Sequence, residues 1–310
     1  MWILNKELVV TIYSIIWLFF SSLPAQDKIL DSTILKGPYL GQKPPGMTPE
    51  IFAPGIVSTD RVELNAVFSK DGHLFYFTRR DDNGLYQIWE MRMEDNSWSK
   101  PRVAPFSGVY EEADPFISPD GRFLFYITKK PEKTYGPPHD ILIMEWDGDY
   151  WSDPMNPGPP LNTEYNEIFP CLTNSGTLYF NSNMPGGFGD RDIYKSIWKN
   201  GKFSKPEIVG PPISTEYNEG DVFVSPDESF MIFTSVDRPD GFGSGDLYIS
   251  TYKDETWSMP VNLGEKVNSS GYDYGPWMSH DRRYFFYTRN NDIYWVDAKI
   301  VGDLKPNIRK

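Results

Sequence analysis

The chain has 310 residues, and its 43 acidic against 30 basic side chains leave a formal charge of −13. That balance excludes the basic footprint that nucleic-acid binding needs, and it favours solubility without naming a ligand. Aromatic residues at 16%, with 27 prolines and 25 glycines, fit many short strands joined by tight turns, with almost no helix.

In chain order, the apolar run LVVTIYSIIWLFF (8–20) follows a short head carrying Lys6 and precedes SSLPAQD. This layout predicts a secretory signal peptide over 1–25, cut after Ala25. The competing reading is a membrane anchor, since the run approaches the lower length of a spanning helix. The small residues before the Ala25–Gln26 junction decide for the signal. Lys6 and Glu7 cancel, so the mature chain keeps its charge, and no transmembrane anchor is expected after cleavage. The expected location is the periplasm or the exterior. Cys171 is the single cysteine, so no internal disulfide forms, and its apolar run IFPCL predicts an inert core thiol.

After a lead-in over 26–46, one unit recurs five times. Its copies are ELNAVFSKDGHLFYFT (63–78), EADPFISPDGRFLFYIT (112–128), EIFPCLTNSGTLYFNS (167–182), EGDVFVSPDESFMIFTS (219–235) and DYGPWMSHDRRYFFYT (273–288). The anchors Ser69, Ser118, Thr173, Ser225 and Ser279 are spaced by 49, 55, 52 and 54 residues. Each unit reads as four strands. The first is apolar on both faces and ends at the anchor, where an S-P-D-G-type turn follows. Glu228 and Arg282 replace the turn glycine in copies four and five, so those turns are expected to differ. The second strand is the aromatic run. The third covers 87–91, 140–146, 192–198, 246–252 or 292–297, and the fourth opens with WSKP (98–101), WSDP (151–154), FSKP (203–206) or WSMP (257–260). Proline places that fourth strand at the sheet edge.

The fifth copy lacks the last segment, whereas MTPEIFAPG (47–55) resembles SKPEIVGPP (204–212). Residues 49–57 are therefore expected to supply the outer strand of the last sheet. Four-stranded units of about 50 residues arranged in a ring describe an all-β, five-bladed β-propeller over 47–297, followed by a tail over 298–310.

NEIFPCLTNSGTLYFNSNMPGGFGDRDIY (166–194) and its counterpart at 218–248 resemble the WD-like repeats of the TolB-like propeller family. The resemblance covers about 47–297 and implies an exported bacterial envelope protein. The family also brings six-bladed rings, the alternative to five here, and propellers attached to peptidases.

The repeated acids Glu63, Glu112, Glu167, Glu219 and Asp273 stand six residues before each anchor. One reading surrounds a channel mouth with five carboxylates, suited to an ammonium group, a polyol or a cation such as calcium. The other has each acid accept backbone hydrogen bonds, repeating because the architecture repeats. No other cofactor is expected. Four residues before the anchors stand Asn65, Asp114, Phe169, Asp221 and Gly275, on the same strand face as the acids by period-two geometry. Asp114 and Asp221 break the repeat with extra charge, and with Glu167 they are the candidate catalytic set of a glycoside hydrolase. Tyr165, Tyr217 and Trp277, with Tyr110 and Tyr272, are candidates for an aromatic lining of the mouth. His73, His139 and His280 are read as surface residues. The run DRPDGFGSGDLYIS (237–250) is followed by strand-like residues and lacks the helix start of a phosphate loop; its glycines predict a reversal with positive φ, tied down by Asp246 as its copy is by Asp192. The function expected is a non-catalytic binding module for an envelope protein, a peptide or a glycan, acting as a monomer.

Overall fold

The anchor hydroxyl sets where each repeat turns. Ser69 Oγ accepts from Leu74 N–H at 2.9 Å and donates to Asp71 Oδ1 at 2.5 Å, while Asp71 Oδ1 accepts from His73 N–H at 3.0 Å. Ser118 with Asp120, and Ser279 with Asp281, repeat these bonds. The turn closes on a residue with positive φ, which glycine supplies at Gly72, Gly121 and Gly176. Glu228 and Arg282 adopt the same conformation, at φ 57° and 56°. The turns expected to differ are thus retained, under local backbone strain of about 1–2 kcal/mol.

The protein is seen here as a computed structural model, which describes residues 35–129 and 138–302. The expected signal peptide and the tail after Gly302 lie outside the described residues. Five antiparallel sheets follow one another, and no sixth occurs among the described residues. The inner, middle and third strands are Glu63–Phe68, Leu74–Arg80 and Tyr86–Glu94 in blade 1. They are Glu111–Ile117, Phe123–Lys129 and Asp140–Glu145 in blade 2, and Glu167–Leu172, Thr177–Ser182 and Asp192–Lys199 in blade 3. Blade 4 uses Asn218–Val224, Phe230–Val236 and Gly245–Lys253; blade 5 uses Asp273–Met278, Tyr284–Arg289 and Asp292–Asp297. The inner strands are buried almost throughout, as their two apolar faces require.

The expected fourth strand splits at its proline. Ser97–Trp98, Lys202–Phe203 and Thr256–Trp257 form short hairpins with the far end of the third strand. Beyond the proline, Arg102–Val103, Glu207–Ile208 and Val261–Asn262 pair again with its middle. Proline has no N–H to give to the ladder, so the chain leaves the sheet there and returns. Blade 2 keeps only the bridges Trp146–Trp151 and Ile143–Met155. Of the segment 49–57, Glu50–Ile51 pairs with the third strand of blade 5 through Trp295 and Tyr294.

Blades 1 and 5 meet around aromatic rings. Phe52 stands 6.1 and 5.6 Å from Phe68 and Phe75 of blade 1, and 5.3 and 5.1 Å from Phe286 and Trp295 of blade 5. Tyr39 adds edge contacts to Phe68 at 5.1 Å and Tyr284 at 4.8 Å.

The hairpin glycines act differently from expectation. Gly241, Gly243 and Gly245 are not among the positive-φ positions. A Cβ at Gly243 would overlap the carbonyl oxygen of Gly271, and one at Gly189 would overlap that of Tyr217. The hairpins of blades 3 and 4 pack backbone to backbone on the loop of the next blade, and only glycine permits that approach. Asp192 and Asp246 do hold these hairpins: Phe188 N–H donates to Asp192 Oδ2 at 2.9 Å, and Phe242 N–H to Asp246 Oδ2 at 2.5 Å.

Arg282→Gly is expected to raise stability by up to about 1 kcal/mol, because it relieves the backbone and loses only an exposed pair with Asp227. Glu228→Gly is expected to lower it by about 1–3 kcal/mol, because Glu228 Oε1 accepts from Thr173 and Ser175 of the neighbouring blade. Denaturant melts of the two variants check the opposite signs.

Candidate functional site

Every inner strand carries one extra residue against its partner. Leu64 faces Thr78 and Val67 faces Tyr76, so three steps on the inner strand match two on the middle one; the other four blades repeat the offset. This β-bulge centres on the position four before the anchor. Asn65, Asp114, Phe169, Asp221 and Gly275 there have φ of 57°, 54°, 54°, 47° and 59°. The bulge breaks the period-two alternation and turns these residues into the channel, whose central cavity none of the repeated acids lines. All five line a central cavity of about 40 Å³.

The acids turn away into their own blades and are buried. Thr59 donates its N–H to Glu63 Oε2 at 3.0 Å and its hydroxyl to Oε1 at 2.6 Å. Thr163 holds Glu167, Thr215 holds Glu219 and Ser269 holds Asp273 in the same way, while Glu112 takes Ser107 Oγ and the N–H groups of Gly108 and Tyr110. Each carboxylate therefore closes the loop that leads into its inner strand. Among the described residues, no group of three or more His, Cys, Asp or Glu side chains is placed to hold a metal ion.

The residue opposite each acid differs. Arg79 and Arg289 stand across from Glu63 and Asp273 and pair with them at 2.8 and 2.7 Å. Ser182 and Ser235 stand across from Glu167 and Glu219. Without a cation, burial pushes both glutamates up to about 7, against the bonds from Thr163 and Thr215.

In the channel, Asn65 Nδ2 donates to Asp114 Oδ1 at 2.5 Å and Phe169 N–H to Asp114 Oδ2 at 3.3 Å. Burial first, then the Asp221 carboxylate, raises Asp114 well above the usual range. Burial raises Asp221 to about 7, opposed by the Arg191 guanidinium and the Gly275 N–H. Above this pair, at the hairpin end, the channel opens into a pocket of about 370 Å³ between blades 3, 4 and 5. Asp221, Glu219, Arg191, Asn181, Thr234 and Tyr272 line it.

The ring is similar in fold to TolB. TolB from Acinetobacter baumannii shares 13% identity over 77% of this chain and 55% of that one, with a TM-score of 0.48. A putative TolB from Agrobacterium tumefaciens shares 18% over 73% and 74%, also at 0.48. An α-L-arabinofuranosidase from Podospora anserina, solved with cellotriose, shares 11% over 81% and 96%, again at 0.48. This chain thus spans about half the length of the first of these. No family model matches the sequence, and no curated protein does. No helix among the described residues is long and apolar enough to cross a membrane.

Of the residues singled out in the sequence, Glu219, Asp221 and Tyr272 reach the mouth pocket, and Asp114 sits in the channel below it. Glu63, Glu112, Glu167 and Asp273 stay within their loops. Tyr165 and Tyr217 are half-buried and do not line the pocket, and Tyr217 lies under the Arg238 guanidinium at 5.8 Å. Trp277 lies deeper, 5.5 Å from Phe286 and 5.9 Å from His280, and lines the central cavity instead of the mouth. His280 is half-buried with its Nε2 at 3.2 Å from Phe68 O, so it is not a free surface residue. Cys171 is buried between blades 3 and 4, its Sγ accepting from Val224 N–H at 3.2 Å, and burial pushes it up to about 12. Arg191, Asn181 and Thr234 were missed. Arg191 had a signal, because DRD (190–192) departs from SGD (244–246) in the matching hairpin.

The raised glutamates give stability a pH dependence of definite sign. Between 4.5 and about 7 the folded chain holds protons that the unfolded chain has released, so stability falls as pH rises across that window. Glu219→Gln is expected to flatten this fall by about 1.4 kcal/mol per pH unit at most. Urea melts at pH 5 and pH 8 check it; an unchanged difference between the two pH values would contradict the assignment.

Proposed function

We propose that this chain is an exported, non-catalytic binding module that receives an envelope protein, a peptide or a glycan at the hairpin end of its channel. The ground for export is the apolar leader over 1–25, which lies outside the described residues. The observation that carries the binding reading is a contrast of space. The cavity between Asp114 and Asp221 measures about 40 Å³, whereas the pocket above it measures about 370 Å³. The smaller volume suits ordered water and cannot take a sugar ring.

Glycoside hydrolysis needs two carboxylates flanking a bound glycosidic bond, one to protonate the leaving oxygen and one on the opposite side of the ring. Asp114 faces Asn65 and Phe169 N–H with both of its oxygens, and Glu167 is held in its loop by Thr163. Asp221 alone of that set reaches the open pocket. The other two carboxylates of the pocket are Glu219, which is held in its loop by Thr215, and the exposed Asp190; with Asp114 and Glu167 absent from it, the site favours recognition over bond cleavage.

The discriminating experiment incubates the wild type and Asp114→Asn/Asp221→Asn with oligosaccharide and peptide panels. Bound material is expected to be recovered chemically unchanged, with no reducing ends released by either protein. Catalytic release of sugar by the wild type, abolished in the double variant, would replace this reading with the hydrolase.

A further inference from the structure

We infer that the mouth pocket is a saccharide subsite, in which a neutral sugar ring stacks on Tyr272 and places its hydroxyls on Arg191, Asn181, Thr234 and Asp221. The inference rests on the binding-module reading and names its ligand.

Four features of the pocket point the same way. Its volume of about 370 Å³ admits one or two sugar rings. Its lining side chains are polar apart from Val236 and the Tyr272 ring, so it offers no apolar slot for the anchor side chain that a docking polypeptide would insert. Asn181 and Thr234 are 2% and 1% exposed, yet Asn181 Oδ1 and Thr234 Oγ1 have no hydrogen-bond partner among the described residues. Buried polar groups of this kind call for a partner, and a sugar hydroxyl both donates and accepts. Finally, the pairing of a cation with a carboxylate suits vicinal hydroxyls. Arg191 is exposed and offers only donors, while Asp221 offers acceptors. Asp190 and Glu219 also line the pocket, so the site carries no net positive field to select an anion.

Tyr272 supplies the apolar face that a sugar ring needs. It is 36% exposed, and its ring centroid lies 5.0 Å from that of Tyr274 at an interplanar angle of 56°. A Cβ on Gly245 would overlap the Tyr272 ring. The last glycine of GFGSGD therefore gives the ring its seat, and the aromatic platform is fixed before any ligand arrives. Prior fixing of this kind lowers the entropy lost on binding.

The test uses a printed array of neutral and acidic oligosaccharides, followed by calorimetry on the features that bind. At least one neutral saccharide is expected to bind. Tyr272→Ala and Arg191→Ala should each weaken it tenfold or more, Gly245→Ala should weaken it by displacing the ring, and Met259→Ala on the outer surface should leave it unchanged. Tyr272→Phe should retain stacking and most of the affinity, which separates loss of the ring from loss of the fold. No binding to any saccharide, or binding indifferent to Tyr272→Ala and Arg191→Ala, overturns the inference. If a peptide binds instead and Arg191→Ala abolishes it, the saccharide assignment falls while the binding module stands. If the array sugar is cleaved, the binding-module reading itself falls.

Discussion

One residue of left-handed backbone in each inner strand organises the centre of this ring. An L-residue in that conformation costs about 1–2 kcal/mol unless it is glycine, and asparagine and aspartate tolerate it best. Four of the five positions hold Asn65, Asp114, Asp221 and Gly275, and Phe169 alone departs from that preference. The bulge turns Asn65, Asp114 and Asp221 into the channel, so the same residues that the backbone tolerates also furnish the channel's chemistry. Two aspartates line the same cavity because aspartate suits the bulge, and the Asp221 carboxylate then adds to burial in raising Asp114.

The repeat-invariant acids and the repeat-breaking residues serve different ends. Glu63, Glu112, Glu167, Glu219 and Asp273 each draw the preceding loop onto the sheet, leaving them buried and occupied. The hairpins of blades 3 and 4 then lean on the next blade through glycine contacts, which brings Arg191 and Tyr272 to the mouth. What differs from blade to blade, Asp221 and Arg191 above all, is what the open pocket presents. Architecture is common to the five units, and specificity comes from their differences.

The periodic features were readable from the chain. Five anchors and five aromatic middle strands follow from spacing and turn chemistry, and of the 49–57 segment Glu50–Ile51 pairs with the last sheet. The bulge was not, because alternation of two is assumed along any strand and a single extra residue inverts every face beyond it. That inversion turned Asp114 into the channel and away from Glu112, whereas Asp221 and Glu219 still both border the mouth pocket. The run of Asn, Asp and Gly at one repeat position carried the signal, but it reads equally as charge. The glycines of GFGSGD were likewise visible while their purpose was not, since close approach depends on the neighbouring blade. Arg282 and Glu228 show the converse: the Ser279 and Asp281 bonds hold the first turn, and bonds from Thr173 and Ser175 of the neighbouring blade the second, in a conformation that their residue types disfavour.

The facing of Asp114 and Asp221 across the channel is the most direct consequence of the bulge. Carboxyl-carbon NMR titration of Asp114, in the wild type and in Asp221→Asn, measures it. Asp114 is expected to titrate well above the ordinary aspartate range and to move downward when Asp221 loses its charge. An Asp114 that titrates near the ordinary value and ignores the substitution would contradict the inward-turned bulge and the channel built on it.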